Sequence, residues 1–463
     1  MLKLFFLLFM GAGVPVAIAM AGASLVYIWF SGSLPPFVVI HRMVSGIDSF
    51  PLLAVPFFIL AGNLMNNAGI TTRIYNFALA LVGWLKGGLG HVNVLGSVIF
   101  AGMSGTAIAD AAGLGTIEIK AMKEHGYSSE FAVGVTAASA TLGPIIPPSL
   151  PFVIYGMMAN VSIGALFLAG LLPGLLMAAL MMLTVTYFAH KNKWGADIKF
   201  SSSRLAKALA ELGVVTAWPL VLWGLISVGA PPQATVVLGL VALFALDKIF
   251  SFEAVLPIMT PVLLIGGMTT GLFTPTEGAI AACVWAMVLG FAWYRTLQFR
   301  MFVKVCLDTV ETTSTVLFIV AAASIFGWML TATGVTAGIA EWVLGFTQQA
   351  WVFLLLANLL MLFVGCFLEP TAAITILVPI LLPITRQLGI DPVHFGLVMV
   401  LNLMIGLLHP PMGMVLFVLA RVAKLSVERT TVAILPWLVP LLASLVIITY
   451  FPKLVLWLPK MFY

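Results

Sequence analysis

The sequence predicts an all-α polytopic membrane protein that is built from two structurally repeated halves of inverted topology. Of its 463 residues, 62% are hydrophobic and only 8% are charged, whereas soluble domains average about 25% charged residues. Apolar runs long enough for spans of roughly 20 residues recur from end to end. These runs lack the period-two alternation of a membrane barrel, so we expect helices.

The repeat is visible as short segments that recur at nearly constant spacing. MSGTAIADAAG at Met103 to Gly113 returns as LEPTAAITILV at Leu368 to Val378, and GPIIPPS at Gly143 to Ser149 returns as GLLHPPM at Gly406 to Met412. Thr106 and Thr371 are equivalent at an offset of 371 − 106 = 265. In membrane proteins, matching helix-interrupting segments in two halves indicate the binding site of a transporter.

We place the first repeat at residues 1–189. Its opening apolar run, Leu4 to Phe30, could pass for a signal peptide, but Gly11 and Pro15 interrupt it and we expect it to remain as membrane helix. Further runs follow through both halves: Phe50–Met65, Phe131–Thr141, Ala165–Phe188, Gly278–Trp293, Thr313–Leu330, Ala350–Leu368, Phe395–Leu408 and Val432–Phe451.

Residues 92–125 are predicted to form a re-entrant helical hairpin that turns near Ser104 to Thr106. The stretch is rich in small residues, which allow a sharp turn and close helix packing. Its central segment, Gly102–Gly115, contains a single carboxylate, Asp110, and no other charged residue. Because a charge in hydrocarbon costs about 2.5 to 3.5 kcal/mol on insertion scales, Asp110 should face a polar cavity or a partner. The alternative is a single ordinary span with a small-residue packing face.

Residues 130–160 are predicted to form a broken helix. Pro144, Pro147 and Pro148 lack N–H donors and push the residues before them out of helical geometry. The freed carbonyls are tolerated in a membrane only where they line a polar site. Together with a hydroxyl from Ser149 or Thr106, such oxygens suit a small cation such as Na⁺. The alternative is a kinked packing helix.

Residues 190–213 form a basic segment between the halves. Lysines and arginines outnumber the single acidic residue between His190 and Lys207, which is Asp197. Such a short loop belongs in the cytoplasm by the positive-inside rule. The net charge of +5 is therefore explained by membrane topology, and nucleic acid is not expected as a partner.

The second repeat, residues 251–463, contains a hairpin at 350–386 and a broken helix at 393–425. Glu369 before Pro370 is a predicted helix N-cap whose helix directs its positive end at the turn. Thr274, Pro275 and Glu277 match a capping box, for which we expect a structural role. The prolines of GLLHPPM follow His409.

Catalytic interpretations find little support. Gly102 to Gly105 matches the GxSG of intramembrane serine proteases, but no histidine base accompanies it in a suitable segment. Walker, HExxH and dinucleotide motifs are absent. The three cysteines, Cys283, Cys306 and Cys366, lie in or beside apolar segments without metal spacing, and packing is expected for them.

The chain resembles the large membrane subunit of tripartite ATP-independent periplasmic (TRAP) transporters, of the ion transporter superfamily, over almost all its length. The motifs that carry the resemblance are SFPLLAVPFFILAGNLMNNAGI (Ser49–Ile70), MSGTAIADAAGLG (Met103–Gly115), GPIIPPS, GLFTPTEGA (Gly271–Ala279), FLEPTAAITILVPILLPI (Phe367–Ile384), LGIDPVHFG (Leu388–Gly396) and HPPMG (His409–Gly413).

This resemblance implies a Na⁺-driven elevator in a bacterial inner membrane, with a transport domain that slides against a scaffold. It implies two partners, a small four-helix membrane subunit and a soluble periplasmic protein that delivers an organic anion, typically a sialic acid or a C4-dicarboxylate. Two Na⁺ sites and no organic cofactor are expected. The first site would use Ser104, Thr106, Gly143, Ile146 and Pro148; the second Gly365, Thr371, Gly406 and His409; substrate contacts would correspond to Thr106, Asp110 and Ser149.

The sequence departs from the family pattern at residues 214–250. Two apolar stretches, Val214–Gly229 and Gln233–Leu246, stand where most members have one, and we expect an extra helical pair on the scaffold. The chain starts directly with the large-subunit pattern, so a separate small subunit is implied. The main alternative is an anion or ion exchanger of the same superfamily that needs no binding protein.

Overall fold

A computed structural model describes residues 1–32, 34–229, 231–252, 254–269, 272–409 and 413–462. Within these ranges the chain forms helices and no β-strand, and the one extended pairing is a single bridge between Lys86 and Ala196. Seven of the described helices are long and apolar enough to cross a membrane, the longest of them spanning Phe299–Ala332. The all-α prediction is therefore confirmed for the described residues.

The first five helices form the N-terminal part of the predicted first repeat. Gly13, with φ of +77°, separates the first two where the sequence showed an interruption. A 3₁₀ turn at Phe50–Leu53 leads into the fourth helix. The bounds are α1 Leu2–Gly11, α2 Val16–Ser31, α3 Phe37–Ile47, α4 Ala54–Asn67 and α5 Ile70–Val82.

The predicted first hairpin consists of two helical arms with a turn between them. The first arm ends at Ser104, Gly105 takes φ of +63°, and the Thr106 hydroxyl accepts from the amide of Ala109 to begin the second arm. That arm is itself divided at Gly113, which the sequence did not indicate. The helices of this region are α6 Gly88–Ser104, α7 Ala107–Ala112, α8 Leu114–Glu124, α9 Ser129–Ala140, α10 Leu150–Ala159 and α11 Ile163–Lys191.

The break that the proline motif predicts lies between α9 and α10. Residues 141–149 form turns rather than helix, and the whole stretch is buried. The helix resumes at Leu150, where the Ser149 hydroxyl accepts from the amide of Phe152. Proline chemistry thus interrupts the helix inside the protein, not at its surface.

Two helices, α12 Ser202–Ser227 and α13 Pro232–Phe250, follow the basic segment. Because the Ser201 hydroxyl accepts from the amide of Arg204 at 3.5 Å, α12 begins at Ser202, inside the predicted linker. The pair is attached to the helix that follows it, since the Glu211 carboxylate accepts from the amide of Ala254 at 3.0 Å.

The second half begins with α14 and ends with two short C-terminal helices. The capping box is confirmed, since the Thr274 amide donates to Glu277 while the Glu277 amide donates to Thr274. The Glu369 cap is confirmed, since the Glu369 carboxylate accepts from the amide of Ala372. The helices are α14 Val255–Thr269, α15 Pro275–Met287 (continued by a π-helix, Val288–Trp293), α16 Phe299–Ala332, α17 Val335–Phe346, α18 Ala350–Gly365, α19 Pro370–Gln387, α20 Pro392–Gly406, α21 Met414–Ala423, α22 Val427–Tyr450, α23 Pro452–Leu456 and α24 Pro459–Phe462.

The predicted second broken helix is described only in part. Its two segments are α20 and α21, and residues 407–409 leave α20 in a turn. Pro410, Pro411 and Met412 of the proline motif lie outside the described residues, and so does Gly271 of the GLFTPTEG segment.

The two halves exchange contacts in a matched way. Helix α7 packs against α21, and α10 packs against α19. Lys123 at the end of α8 donates to the carbonyl of Ala423 at 2.8 Å, and Arg386 at the end of α19 donates to the carbonyl of Ala159 at 3.1 Å. The two basic residues are 386 − 123 = 263 positions apart, which is close to the offset of the predicted repeat. Each cation therefore meets the carboxyl end of a helix from the other half, where the helix dipole favours it.

Two of the three apolar cores of the described chain contain residues of the first hairpin. One core contains Phe152, Tyr155 and Phe395 and joins the broken helices to both hairpins. Another contains Ile70, Val255 and Trp285 and joins α5 to α14 and α15. Helix α4 packs on α15 and contributes to both cores.

The basic segment is fastened to the first hairpin and to the loop before α9. The Asp197 carboxylate accepts from the Leu89 amide at 2.8 Å and from the Tyr127 hydroxyl at 2.6 Å. The Trp194 ring packs on Tyr127 and Phe131, each at 4.6 Å between centroids. Burial raises the pKa of Tyr127, and the neighbouring carboxylate raises it further, so the phenol remains a donor. We call this contact the linker clamp.

The linker clamp leads to a stability prediction. Asp197→Ala should lower the free energy of unfolding by about 2 to 3 kcal/mol, because it leaves two donors without their charged acceptor. Tyr127→Phe removes one of these bonds and should cost about 1 kcal/mol. Thermal unfolding of the purified protein in one detergent measures both. Equal effects of the two variants, or no shift in either, would contradict the assigned contacts.

Candidate functional site

The turn of the first hairpin touches the break between α9 and α10 through the backbone. The amide of Leu150 donates to the carbonyl of Gly105 at 3.4 Å. A Cβ built on Gly105 would lie 2.8 Å from the oxygen of Pro148, and one on Gly143 would lie 3.1 Å from the oxygen of Thr106. The structure therefore brings the predicted residues of the first Na⁺ site to one place, and only glycine permits the approach.

Several oxygen atoms at this contact have no hydrogen-bond partner. The Ser104 hydroxyl is buried and unpaired, and within the described chain no donor reaches the carbonyls of Gly143, Ile146 or Pro148. Buried polar atoms are rarely left unsatisfied unless an unseen ligand or water meets them. Neutral oxygen donors are the ligands that a hard cation prefers. The residues present thus fit Na⁺.

Two predicted substrate hydroxyls already have structural roles. Thr106 accepts from the amide of Ala109 at 3.2 Å, and Ser149 donates to the carbonyl of Pro144 while accepting from Phe152 at 3.3 Å. Both residues cap helices, which the sequence interpretation did not foresee. Each hydroxyl oxygen can still offer a lone pair to a ligand at the helix N-terminus.

Asp110 lies in the first turn of α7 and is 1% exposed. One carboxyl oxygen interacts with the Ser97 side chain, and the other has no partner in the described residues. Ser149 is also closed off, at 0% exposure. In this conformation neither side chain is accessible from outside the protein.

The second hairpin and the second broken helix approach even more closely. A Cβ built on Gly406 would lie 2.6 Å from the carbonyl carbon of Gly365 and 2.9 Å from its oxygen. Thr371 donates to the Glu369 carboxylate at 2.9 Å. A cavity of about 440 Å³ lies elsewhere, but one of about 270 Å³ is lined here by residues including Gly365, Glu369 and Leu407.

The structure gives different positions to the four residues predicted for the second Na⁺ site. Gly365, Thr371 and Gly406 are buried near the turn of the hairpin, whereas the His409 side chain is exposed. The amide of His409 donates to the carbonyl of Gly406 at 3.0 Å. Glu369, for which the sequence indicated only a cap, also lines the cavity beside this site.

Sequence reasoning missed a buried polar cluster inside the first hairpin. It joins α6, α8 and α9 through Asn93, Glu118, Thr136 and Ser139, each at most 1% exposed. The one signal in the sequence was a carboxylate between two isoleucines, at Ile117 to Ile119.

A family model and two relatives that match this chain are all described as TRAP transporter components. The family model described as "Tripartite ATP-independent periplasmic transporter, DctM component" matches residues 3–454. The sialic acid TRAP transporter large permease protein SiaM of Vibrio cholerae is 41% identical over 97% of this chain and 96% of its own. The C4-dicarboxylate TRAP transporter large permease protein DctM of Rhodobacter capsulatus is 33% identical over 97% of this chain and 96% of its own.

A solved structure shares the fold at low identity. The crystal structure of the Alcanivorax borkumensis YdaH transporter matches with a TM-score of 0.59 and 16% identity over 90% of this chain and 88% of that one. At this identity the likeness concerns the fold alone.

Proposed function

The chain belongs to the DctM-component family of TRAP transporters, and from that membership we propose that it imports an organic anion together with Na⁺. It is the large permease subunit of such a transporter and not an enzyme. The protease interpretation of Ser104 is thereby set aside. Its hydroxyl, moreover, has no base as a partner among the described residues.

One observation carries the Na⁺ part of the proposal. The first hairpin turn meets the helix break with a buried, unpaired Ser104 hydroxyl and three carbonyls that accept no bond in the described chain. Ser104, Thr106, Gly143, Ile146 and Pro148 would hold one co-transported Na⁺. Gly365, Thr371, Gly406 and the backbone at His409 would hold a second at the equivalent contact.

The names of the relatives and the chemistry of Asp110 support the proposed substrate class. The relatives' names include sialic acid and C4-dicarboxylate, and this chain is proposed to take an anion of one of these classes near Thr106, Asp110 and Ser149. A bare carboxylate repels an anion, so Asp110 would hold substrate hydroxyls or a cation rather than the substrate carboxylate.

The proposed motion is an elevator. The core shared by the hairpins and the broken helices would move as a transport domain in the bacterial inner membrane, while α5, α14 and the added pair α12–α13 would belong to the scaffold. The small four-helix subunit would extend the scaffold in the bilayer. A periplasmic binding protein would deliver the substrate.

Reconstitution tests this function. The chain is purified with a small subunit, placed in liposomes, and supplied with a radiolabelled sialic acid or C4-dicarboxylate, with or without a periplasmic binding protein for that substrate. Uptake that needs both the binding protein and an inward Na⁺ gradient supports the proposal. Uptake without the binding protein would favour the exchanger, and uptake indifferent to Na⁺ would overturn the coupling.

A further inference from the structure

A buried carboxylate, Glu118, lies between the two arms of the first hairpin and α9. The Asn93 side-chain amide donates to Glu118 at 2.6 Å and contacts the Thr136 hydroxyl at 2.8 Å. The Ser139 hydroxyl donates to the side-chain amide oxygen of Asn93, Oδ1, at 2.7 Å. All four side chains are at most 1% exposed. We call this group the hairpin polar cluster.

The charge of Glu118 has no counter-charge in this cluster. Its second oxygen has no hydrogen-bond partner in the described residues, and no ion pair to it is found there. Lys120 approaches Glu124 instead, and Lys123 donates to Ala423. The ionisable side chains on the helices packed around the cluster are Arg73 and Tyr75 of α5, His91 of α6, Asp110 of α7, Lys120, Lys123 and Glu124 of α8, Glu130 of α9, Tyr187, His190 and Lys191 of α11, Arg421 of α21, and Glu428, Arg429 and Tyr450 of α22.

The nearest of these groups do not neutralise Glu118. Asp110 is another carboxylate, and Tyr75 is a phenol that would become negative on ionisation. The guanidinium of Arg73 lies over the Tyr294 ring at 4.0 Å, and the His91 ring lies 3.4 Å from the Thr186 hydroxyl. An ionised carboxylate without a partner in so dry a place costs several kcal/mol, and such groups bind a cation or a proton instead.

Space decides between a metal ion and a proton. The unpaired oxygen of Glu118 would lie only 2.9 Å from a Cβ built on Gly96, and that position is also 3.3 Å from a Leu114 methyl group. The oxygen therefore faces a packed, apolar wall formed by these two residues. That wall supplies no ligand atom for a metal ion, and the described chain has no group of three or more His, Cys, Asp or Glu side chains suited to one. A proton needs no added volume and no further ligands.

We propose that Glu118 binds a proton inside the first hairpin, and that this proton keeps the hairpin polar cluster neutral while the transport domain moves. Binding adds one proton to one carboxylate oxygen and requires no other reactant. Loss of the proton places a second negative charge in the same hairpin as Asp110, which opposes an anionic substrate and raises the cost of burial. The effect on uptake rests on the proposed transport function, whereas proton binding itself does not.

Infrared difference spectroscopy tests the proton directly. The large subunit, purified with its small subunit in lipid, is stepped between two pH values while the C=O stretch of protonated carboxyl groups is recorded. We expect a band in the wild type that persists in Asp110→Asn and is lost in Glu118→Gln. A wild-type spectrum without such a band, or one that loses no component in Glu118→Gln, would overturn the proposal whatever the substrate.

A second variant guards against misfolding of Glu118→Gln. Asn93→Ala keeps the acid but removes its hydrogen-bond donor, so the carboxyl band should shift in frequency without disappearing. An unshifted band would place the proton elsewhere. In liposomes, the wild-type initial rate should fall with rising pH by up to about tenfold for each pH unit past the midpoint. The Glu118→Gln rate, whatever its absolute value, should not fall in this way. Identical pH profiles of the wild type and Glu118→Gln would refute the role of Glu118 in transport.

Discussion

Replacing Gly406 with alanine should reduce Na⁺-driven uptake by about tenfold or more, since forced overpacking costs typically 1 to 3 kcal/mol. The added methyl would meet the carbonyl carbon of Gly365 at 2.6 Å and its oxygen at 2.9 Å. Backbone atoms cannot rotate away as a side chain can, so α18 and α20 must separate. The oxygens proposed for the second Na⁺ site separate with them. Initial uptake rates in liposomes measure the effect.

Two matched variants make this prediction specific. Gly338→Ala adds the same methyl group in α17, where nothing lies within 4 Å of it, and it should leave uptake unchanged. Gly365→Ala places its methyl 3.2 Å from the Gly406 Cα and should have an intermediate effect. Normal uptake by Gly406→Ala, with unchanged thermal stability, would show that this backbone contact does not govern transport.

Features that depend on neighbours in sequence were readable before the structure. The Thr274 capping box, the Glu369 cap and the interruption near Gly13 each follow from a few adjacent residues. The turn at Ser104 to Thr106 was readable for the same reason, because glycine there permits a positive φ and threonine caps the helix that follows. Local chemistry alone fixes such points.

Features that depend on distant residues were not readable. The second arm of the first hairpin is divided at Gly113, which lies against Asn66 of α4. The Asn66 side-chain nitrogen would be 2.7 Å from a Cβ built on Gly113. Glu118 resembles a solvated residue beside Lys120 and Glu124, and its burial is visible only once α6 and α9 close over it. No periodicity within α8 encodes those partners.

The proposed site was predictable from the sequence only in part. Its members came from a family resemblance, and the structure adds contacts that the motifs do not contain. Ser149 and Thr106 are helix caps as well as candidate ligands, and Glu369 both caps α19 and lines a cavity. A motif specifies residue types and their spacing. Whether each oxygen already takes part in a hydrogen bond depends on how the chain packs.

Removing one hydroxyl from each proposed Na⁺ site should raise the Na⁺ concentration for half-maximal uptake by about 10- to 100-fold per site, since bonds to a charged group are worth about 1.5 to 3 kcal/mol. Ser104→Ala removes a buried hydroxyl that has no partner among the described residues, so no bond to them is lost with it. Thr371→Ala removes a hydroxyl that also donates to Glu369, so some stability should be lost as well.

Matched hydroxyl deletions separate ion binding from folding. Thr385→Ala, in the same helix as Thr371, removes a buried hydroxyl that donates to the carbonyl of Leu382, and Ser444→Ala does the same at Leu441. Both should shift thermal stability slightly and leave the Na⁺ dependence unchanged. Because the two proposed sites lie in different halves, the double variant Ser104→Ala/Thr371→Ala should lose more Na⁺ affinity than either single variant. Uptake whose Na⁺ dependence survives the double change would mean that neither hydroxyl binds the ion, and the site proposed at the two helix breaks would be wrong.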